Sequence, residues 1–105
     1  MPDFLFANNA SSTLAIELNT IALTITLAAA TGDRFPDPVQ YAEEFVITLK
    51  NTTTGEIEIV NCVERSGDVL NIVRAREGTV ALSFPVGAAV VHQMTAAMFA
   101  YLRDL

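Results

Sequence analysis

Two short turn-forming clusters, Asn51-Thr52-Thr53-Thr54-Gly55 and Arg65-Ser66-Gly67-Asp68, separate three runs of β-branched and apolar residues. This spacing constrains the fold more than any other feature of the chain. Phe45, Ile47 and Leu49 alternate on one face of the first run, the period-two pattern of a strand with one side in a core. Turns this short join only antiparallel neighbours, and Gly55 is free to adopt the positive φ that a hairpin loop needs. Residues 45–50, 56–64 and 69–73 are therefore predicted to form a three-strand antiparallel meander. In the middle run Ile57, Ile59 and Val63 share one face while Val60 and Cys62 share the other, so its centre is expected to be buried on both sides.

The flanks extend this reading. Residues 7–13 are turn formers, and Leu14, Ile16 and Leu18 then alternate in a short strand. Asn19-Thr20 is a break, after which Ile21, Leu23, Ile25 and Leu27 alternate with smaller residues, predicting a strand with one buried face. The apolar stretch 14–30 is not read as a membrane span, because it alternates with period two and carries Glu17 and Asn19. Residues 28–39, with Gly32, Pro36 and Pro38, form a long loop anchored by Phe35, whose backbone is extended ahead of Pro36. Residues 88–94 read as a last strand. Thr95 is a candidate N-cap for a final helix on which Met98, Tyr101, Leu102 and Leu105 recur at helical spacing. The expected fold class is mainly β: a small antiparallel β-sandwich or barrel-like domain with a central three-strand meander and a short C-terminal helix. One domain, 1–105, is expected, with an N-terminal arm (1–12), a β core (13–94) and the helix (95–105).

Composition narrows the function. Apolar residues make up 51% and charged residues only 17%, against about 25% charged in an average domain. A chain this small cannot hide so much apolar surface by itself, so part of it is expected to meet other subunits. The net charge of −6 comes with six thinly spread basic residues, which leaves no basic face for nucleic acid and no polybasic membrane contact. The start, Met1-Pro2-Asp3-Phe4, lacks the basic residues of a signal peptide. Cys62 is expected to be a small core residue, and the lone His92 a packed or surface-facing ring. One histidine and one cysteine cannot compose a structural zinc site, Asp33, Asp37 and Glu77 lack calcium-loop spacing, and no phosphate-cradling glycine loop occurs. No catalytic residue, cofactor or metal is expected.

The one dense charged cluster is Arg74-Ala75-Arg76-Glu77, followed by Gly78-Thr79. Two guanidinium groups could hold an anion. The stronger reading is a structural clasp of Arg74, Arg76, Glu77, Gly78 and Thr79, in which Glu77 pairs with one arginine and Gly78 makes a left-handed turn. On that reading Glu77→Ala is expected to unfold or disassemble the protein.

A wider order of residues surrounds this cluster. Asn8-Asn9-Ala10 and Thr13-Leu14-Ala15 come first, followed by Phe35-Pro36, residues 45–49, Thr54-Gly55 and Glu58-Ile59-Val60. Arg65-Ser66-Gly67 then leads through Leu70 and Val73 to the hexad 74–79, with Gly87, Val90 and Thr95-Ala96-Ala97 at the close. This order resembles a small β module of tailed bacteriophages and prophages, found at the base of tail fibres, in baseplate proteins or at the start of adsorption spikes. The Arg-Ala-x-Glu-Gly-Thr hexad is its most specific element. The resemblance implies a non-enzymatic virion structural protein, made in the bacterial cytoplasm and carried in the phage-like particle or gene transfer agent. It would form a homo-oligomeric base or adaptor joining a fibre or spike protein to a tail, baseplate or capsid protein. Phe4, Phe6, Met98, Phe99, Tyr101 and Leu102 are the candidate partner interface, and truncation of residues 1–12 is expected to impair particle incorporation more than folding. The alternative is a carbohydrate- or receptor-binding module that touches the host directly.

Overall fold

Alternating apolar residues cannot satisfy their backbone groups singly, and in this chain they do so in one curled sheet. The structure, a computed structural model, describes residues 3–8, 10–39 and 42–105. Met1 and Pro2 of the expected arm, the landmark Asn9, and Gln40 and Tyr41 ahead of the meander lie outside the described residues. In chain order the strands are β1 (Asp3–Phe4), β2 (Ser11–Thr13), β3 (Thr24–Thr26), β4 (Glu43–Lys50), β5 (Ile57–Ser66), β6 (Val69–Arg76) and β7 (Ala89–Val91). A 3₁₀ turn at Gly32–Arg34 lies between β3 and β4, and helix α1 (Ala96–Arg103) follows β7.

The meander is β4–β5–β6, with Phe45 opposite Cys62 and Ile47 opposite Val60. Its first hairpin is organised by Asn51, whose side-chain oxygen accepts from the N–H groups of Thr53 and Thr54 at 3.0 and 3.2 Å. Its second is a two-residue loop, Gly67-Asp68, closed by the Ser66–Val69 pair. The full order is β2-β7-β4-β5-β6-β3, and the sheet then meets itself. Leu14 bridges Leu27, Ala15 N–H donates to the Thr26 carbonyl, and Ala28 N–H donates to that of Thr13, both at 2.9 Å. Every neighbouring pair around this ring is antiparallel. Closure removes the exposed edges that make open sheets prone to pairing with other chains. The fold is mainly β and barrel-like, as the alternation implies.

Phe45, Ile47, Leu49, Val60, Cys62, Leu70 and Val90 fill the interior, each fully buried. Phe35 anchors the long loop as expected, stacking on Phe45 with ring centroids 6.0 Å apart. A smaller cluster lies on the outside of β4: Phe4, Val46 and Met98, with Ile59, Ala97 and Tyr101 against them. It fastens β1, which runs parallel to the start of β4, and α1 to the barrel wall. Thr95 caps α1 by accepting from Met98 N–H.

Three expectations change. Residues 14–18 do not form a strand: Leu14 and Leu18 are buried through separate bridges, while Ile16 between them is exposed. The strand expected from Ile21 to Leu27 shortens to β3. The Asn19 side chain holds the N–H groups of Ile21 and Ala22 in a turn at 3.0 and 2.7 Å, leaving Ile21 and Leu23 exposed. The described residues of the expected arm are not free. Ala10 is in the core, β2 starts at Ser11, and Phe4 is buried, so truncating residues 1–12 removes a barrel strand and is expected to damage folding itself.

Candidate functional site

The charged hexad sits where β6 ends. The arginine–glutamate pair has a different partner from the expected one: Arg74 pairs with Glu58 of β5, not with Glu77. The register explains why. Between Asn61↔Val73 and Ile59↔Arg76 the β6 strand carries one extra residue, a β-bulge, and Ala75 takes it up with φ 55°. The bulge frees the Ala75 N–H from the ladder, and it donates to Glu58 Oε2 at 3.0 Å.

The guanidinium of Arg74 spends all five of its N–H donors. Nε and one Nη2 hydrogen go to the two oxygens of Glu58, both at 2.8 Å. The remaining hydrogens go to the carbonyls of Asn19, Ala22 and Leu82, at 2.7, 2.8 and 2.7 Å. The carboxylate is equally filled, since Leu82 N–H donates to Oε1 at 2.9 Å beside the bonds from Arg74 and Ala75. The Glu58 side chain is 0% exposed and that of Arg74 7%. One ion pair thus ties β5, β6 and the segments around residues 19–22 and 82. Burial pushes the Glu58 carboxyl up, but the bonds from Arg74, Leu82 and Ala75 outweigh it and hold the group below the usual carboxylate range.

The other members of the hexad act separately. Arg76 is exposed. Glu77, at φ 53°, turns its carboxylate to the start of α1, where Ala97 N–H donates to it at 3.0 Å, a helix N-terminus favouring negative charge. Gly78 takes φ 82°. The Thr79 hydroxyl donates to the Arg76 carbonyl at 2.7 Å and accepts from Ile59 N–H at 3.0 Å. Glu77 is exposed, so Glu77→Ala is now expected to cost about 0.5–1 kcal/mol, the scale of a lost helix-end interaction, measured by urea unfolding.

Sequence reasoning missed Glu58, yet parity could have found it. Glu58 is in phase with Val60 and Cys62, and Arg74 with Leu70 and Ile72, so both charges share the parity of core residues.

A second carboxylate organises the long loop. Asp68 accepts from Gly32 N–H at 2.7 Å and Ala30 N–H at 2.9 Å, and these bonds hold its carboxyl below the usual range. Depressed carboxylates stabilise the folded state above their unfolded pKa values, about 4, and lose that contribution as pH falls through their folded values. The melting temperature is therefore expected to stay level for these groups from pH 7 to about 5 and to fall below about pH 4. Asp68→Asn should lower the plateau and flatten the fall, read by thermal melts across that range.

The six candidate interface residues divide. Phe4 and Met98 are buried and hold α1 down, Tyr101 is half-buried, and Phe6, Phe99 and Leu102 are exposed. The two ends of the chain meet there: Phe4 and Tyr101 lie 5.1 Å apart, Phe6 and Tyr101 6.4 Å. A groove of about 400 Å³ runs between Phe4, Ala97, Ala100, Tyr101, Asp104 and Leu105. His92 is packed, 1% exposed, with Nδ1 2.7 Å from the Val46 carbonyl. Cys62 is a core residue, and burial pushes its thiol up to about 12, far from the thiolate form. Among the described residues no group of three His, Cys, Asp or Glu is placed to hold a metal ion, and no helix is long and apolar enough to cross a membrane. No protein-family model and no curated protein sequence matches this chain.

Proposed function

We propose that the protein is a non-enzymatic virion structural protein, the homo-oligomeric base or adaptor that joins a fibre or spike to the tail, baseplate or capsid of a phage-like particle. The observation that carries this reading is the apolar surface left outside a completed core. Phe6, Met94, Phe99, Leu102 and Leu105 stay exposed around the junction of the two chain ends, and Ile16, Ile21, Leu23 and Val80 are exposed elsewhere. Large apolar side chains that a closed barrel cannot use are the raw material of subunit interfaces. The hexad adds support, because each of its positions except Arg76 has a specific task in this fold.

The test is to follow a tagged chain through density-gradient purification of particles from cells that make it. Co-migration with particles is expected, and a chain found only in the soluble fraction would overturn the reading. Phe99→Asp with Leu102→Asp should weaken assembly while shifting the melting stability by no more than about 0.5 kcal/mol, the usual range for surface changes. Analytical ultracentrifugation and particle incorporation report the first, and urea unfolding the second. The carbohydrate-binding alternative has one observation in its favour, the neighbouring rings of Phe6 and Tyr101, and a glycan-binding assay of the isolated protein decides it.

A further inference from the structure

Helix α1 carries two unlike flanks. Each residue turns the helix by about 100°, and Ala97, Met98 and Tyr101 pack against Phe4 and Val46 on the barrel wall. Phe99 and Leu102 then fall to one side of that line, and Ala100 and Asp104 to the other. Phe99 is 61% exposed and Leu102 41%, so the first flank is a pair of apolar knobs. The second flank, together with Phe4, walls the groove of about 400 Å³, in which Asp104 is the one carboxylate among the described residues. Spaces of ~300–1,000 Å³ take a drug-sized molecule, so the groove has room for two large side chains.

Side chains that fit the groove stand on the opposite flank of the same helix, and the charges agree with that match. Arg103 follows Phe99 by one turn and neighbours it on the helix surface. Its bond to Asp104 within the chain, at 3.2 Å, joins two exposed side chains, so water screens it and it contributes little. A Phe99 ring seated in the groove of another copy carries Arg103 to that copy's Asp104, which puts opposite charges at the rim of an apolar contact. A two-fold contact does not achieve this. With the helices antiparallel it sets like flank on like flank, and with them parallel it brings like helix ends together. Unlike flanks mate head to tail, a contact that repeats from copy to copy and closes a ring where the rotation allows.

We propose that α1 is a head-to-tail self-association site. Phe99 and Leu102 of one copy fill the groove between Phe4, Ala100 and Tyr101 of the next, with Arg103 against the next copy's Asp104. The groove is thus completed only by a second copy of this chain. The proposal rests on the reading of the protein as a homo-oligomeric base and deepens it, by naming the surface through which the copies join.

The test is a mixing experiment on the full chain, read by analytical ultracentrifugation, with thermal melts to show that each variant folds. Phe99→Asp with Leu102→Asp removes the knobs and keeps the groove. Ala100→Trp fills the groove and keeps the knobs; Leu105→Asp, at the groove's exposed end beyond the helix, stands in should the tryptophan disturb folding. Wild type is expected to associate, each variant alone to stay monomeric, and an equimolar mixture of the two kinds to form a dimer that grows no further. One intact knob and one intact groove remain in that mixture, which is the signature of a head-to-tail contact. Arg103→Glu should weaken wild-type association about fivefold, the scale of one rim ion pair. A mixture that stays monomeric would overturn the head-to-tail contact, and a variant that associates like wild type would overturn the flank it alters. Unchanged association of Arg103→Glu would overturn the charged part. Wild type that is monomeric at millimolar concentration yet co-migrates with particles would strike the contact and leave the virion reading standing. Head-to-tail association of a chain that never enters particles would do the reverse. Incorporation of both monomeric variants into particles would assign the groove to a different protein and overturn the proposal.

Discussion

Glu58→Ala is expected to lower the folding stability by about 3–5 kcal/mol, the cost of leaving one member of a buried ion pair uncompensated. A domain of this size has about 5–15 kcal/mol in total, so the variant should be close to unfolding in mild urea. The size follows from the connectivity of the pair. Removing the carboxylate orphans two guanidinium donors and the N–H groups of Ala75 and Leu82, and it loosens the Arg74 side chain that bonds the carbonyls of Asn19, Ala22 and Leu82. Arg74→Ala should be similarly damaging, and Arg74→Lys should not rescue, because an ammonium has three donors where five are used. Glu58→Leu combined with Arg74→Met should recover much of the loss, as apolar replacement of buried pairs often does. Urea unfolding of the four variants measures this. A wild-type midpoint for Glu58→Ala, or a double variant no better than the singles, would show that the pair is not what holds the segments together. Glu77→Ala, with its small expected effect, is the internal control.

Gly32→Ala should cost about 3 kcal/mol or more, at the upper end of overpacking effects. A Cβ on Gly32 would lie 2.0 Å from the Gly67 carbonyl oxygen, 2.7 Å from its carbon and 2.9 Å from Asp68 Cα. All three are backbone atoms of the β5–β6 turn, so no side chain can swing aside. Moving the loop outward would stretch the Gly32–Asp68 bond and draw on the stacking of Phe35 over Phe45. Gly55→Ala is the informative comparison. Its Cβ would meet nothing within 4 Å but would sit at φ 80°, so only the left-handed conformation is penalised, about 1–2 kcal/mol. Equal effects of the two substitutions would show that the loop yields at Gly32.

What the sequence revealed followed from local rules. The meander was legible because Phe45, Ile47 and Leu49 alternate strictly and both turns are short, and Thr95 was legible as a cap from its place before an apolar run. The ends of elements were not. Ile21 and Leu23 alternate in phase with Ile25, but Asn19 and Arg74 claim the backbone polar groups around them, and a strand cannot continue through groups already committed elsewhere. The clasp was half legible. Sequence proximity pointed Arg74 at Glu77, whereas the parity it shares with Leu70 and Ile72 turns it to the side of Glu58; the bulge at Ala75, invisible in the residue order because alanine rarely adopts positive φ, adds a backbone N–H to that carboxylate. A cavity of about 270 Å³ beside His92 was not legible at all, since it forms where residues 6–8 meet residues 92–94 and Met98 of α1.

The seam between Leu14 and Leu27 has a consequence for how the molecule is built. β2 is held on its other side by β7, so the ring of strands joins residues from opposite ends of the chain. During synthesis the three-strand meander can form as soon as its residues emerge, since hairpin contacts are local. Residues 11–15 must wait for residues 88–91 to be made before both of their neighbours exist. Folding dominated by such distant pairings is slow, in the millisecond to second range, and until it finishes Leu14, Leu18 and Leu27 face water. The waiting intermediate is therefore the state most exposed to aggregation, and the yield of folded protein should depend more on how quickly the ring closes than on how stable it is once closed.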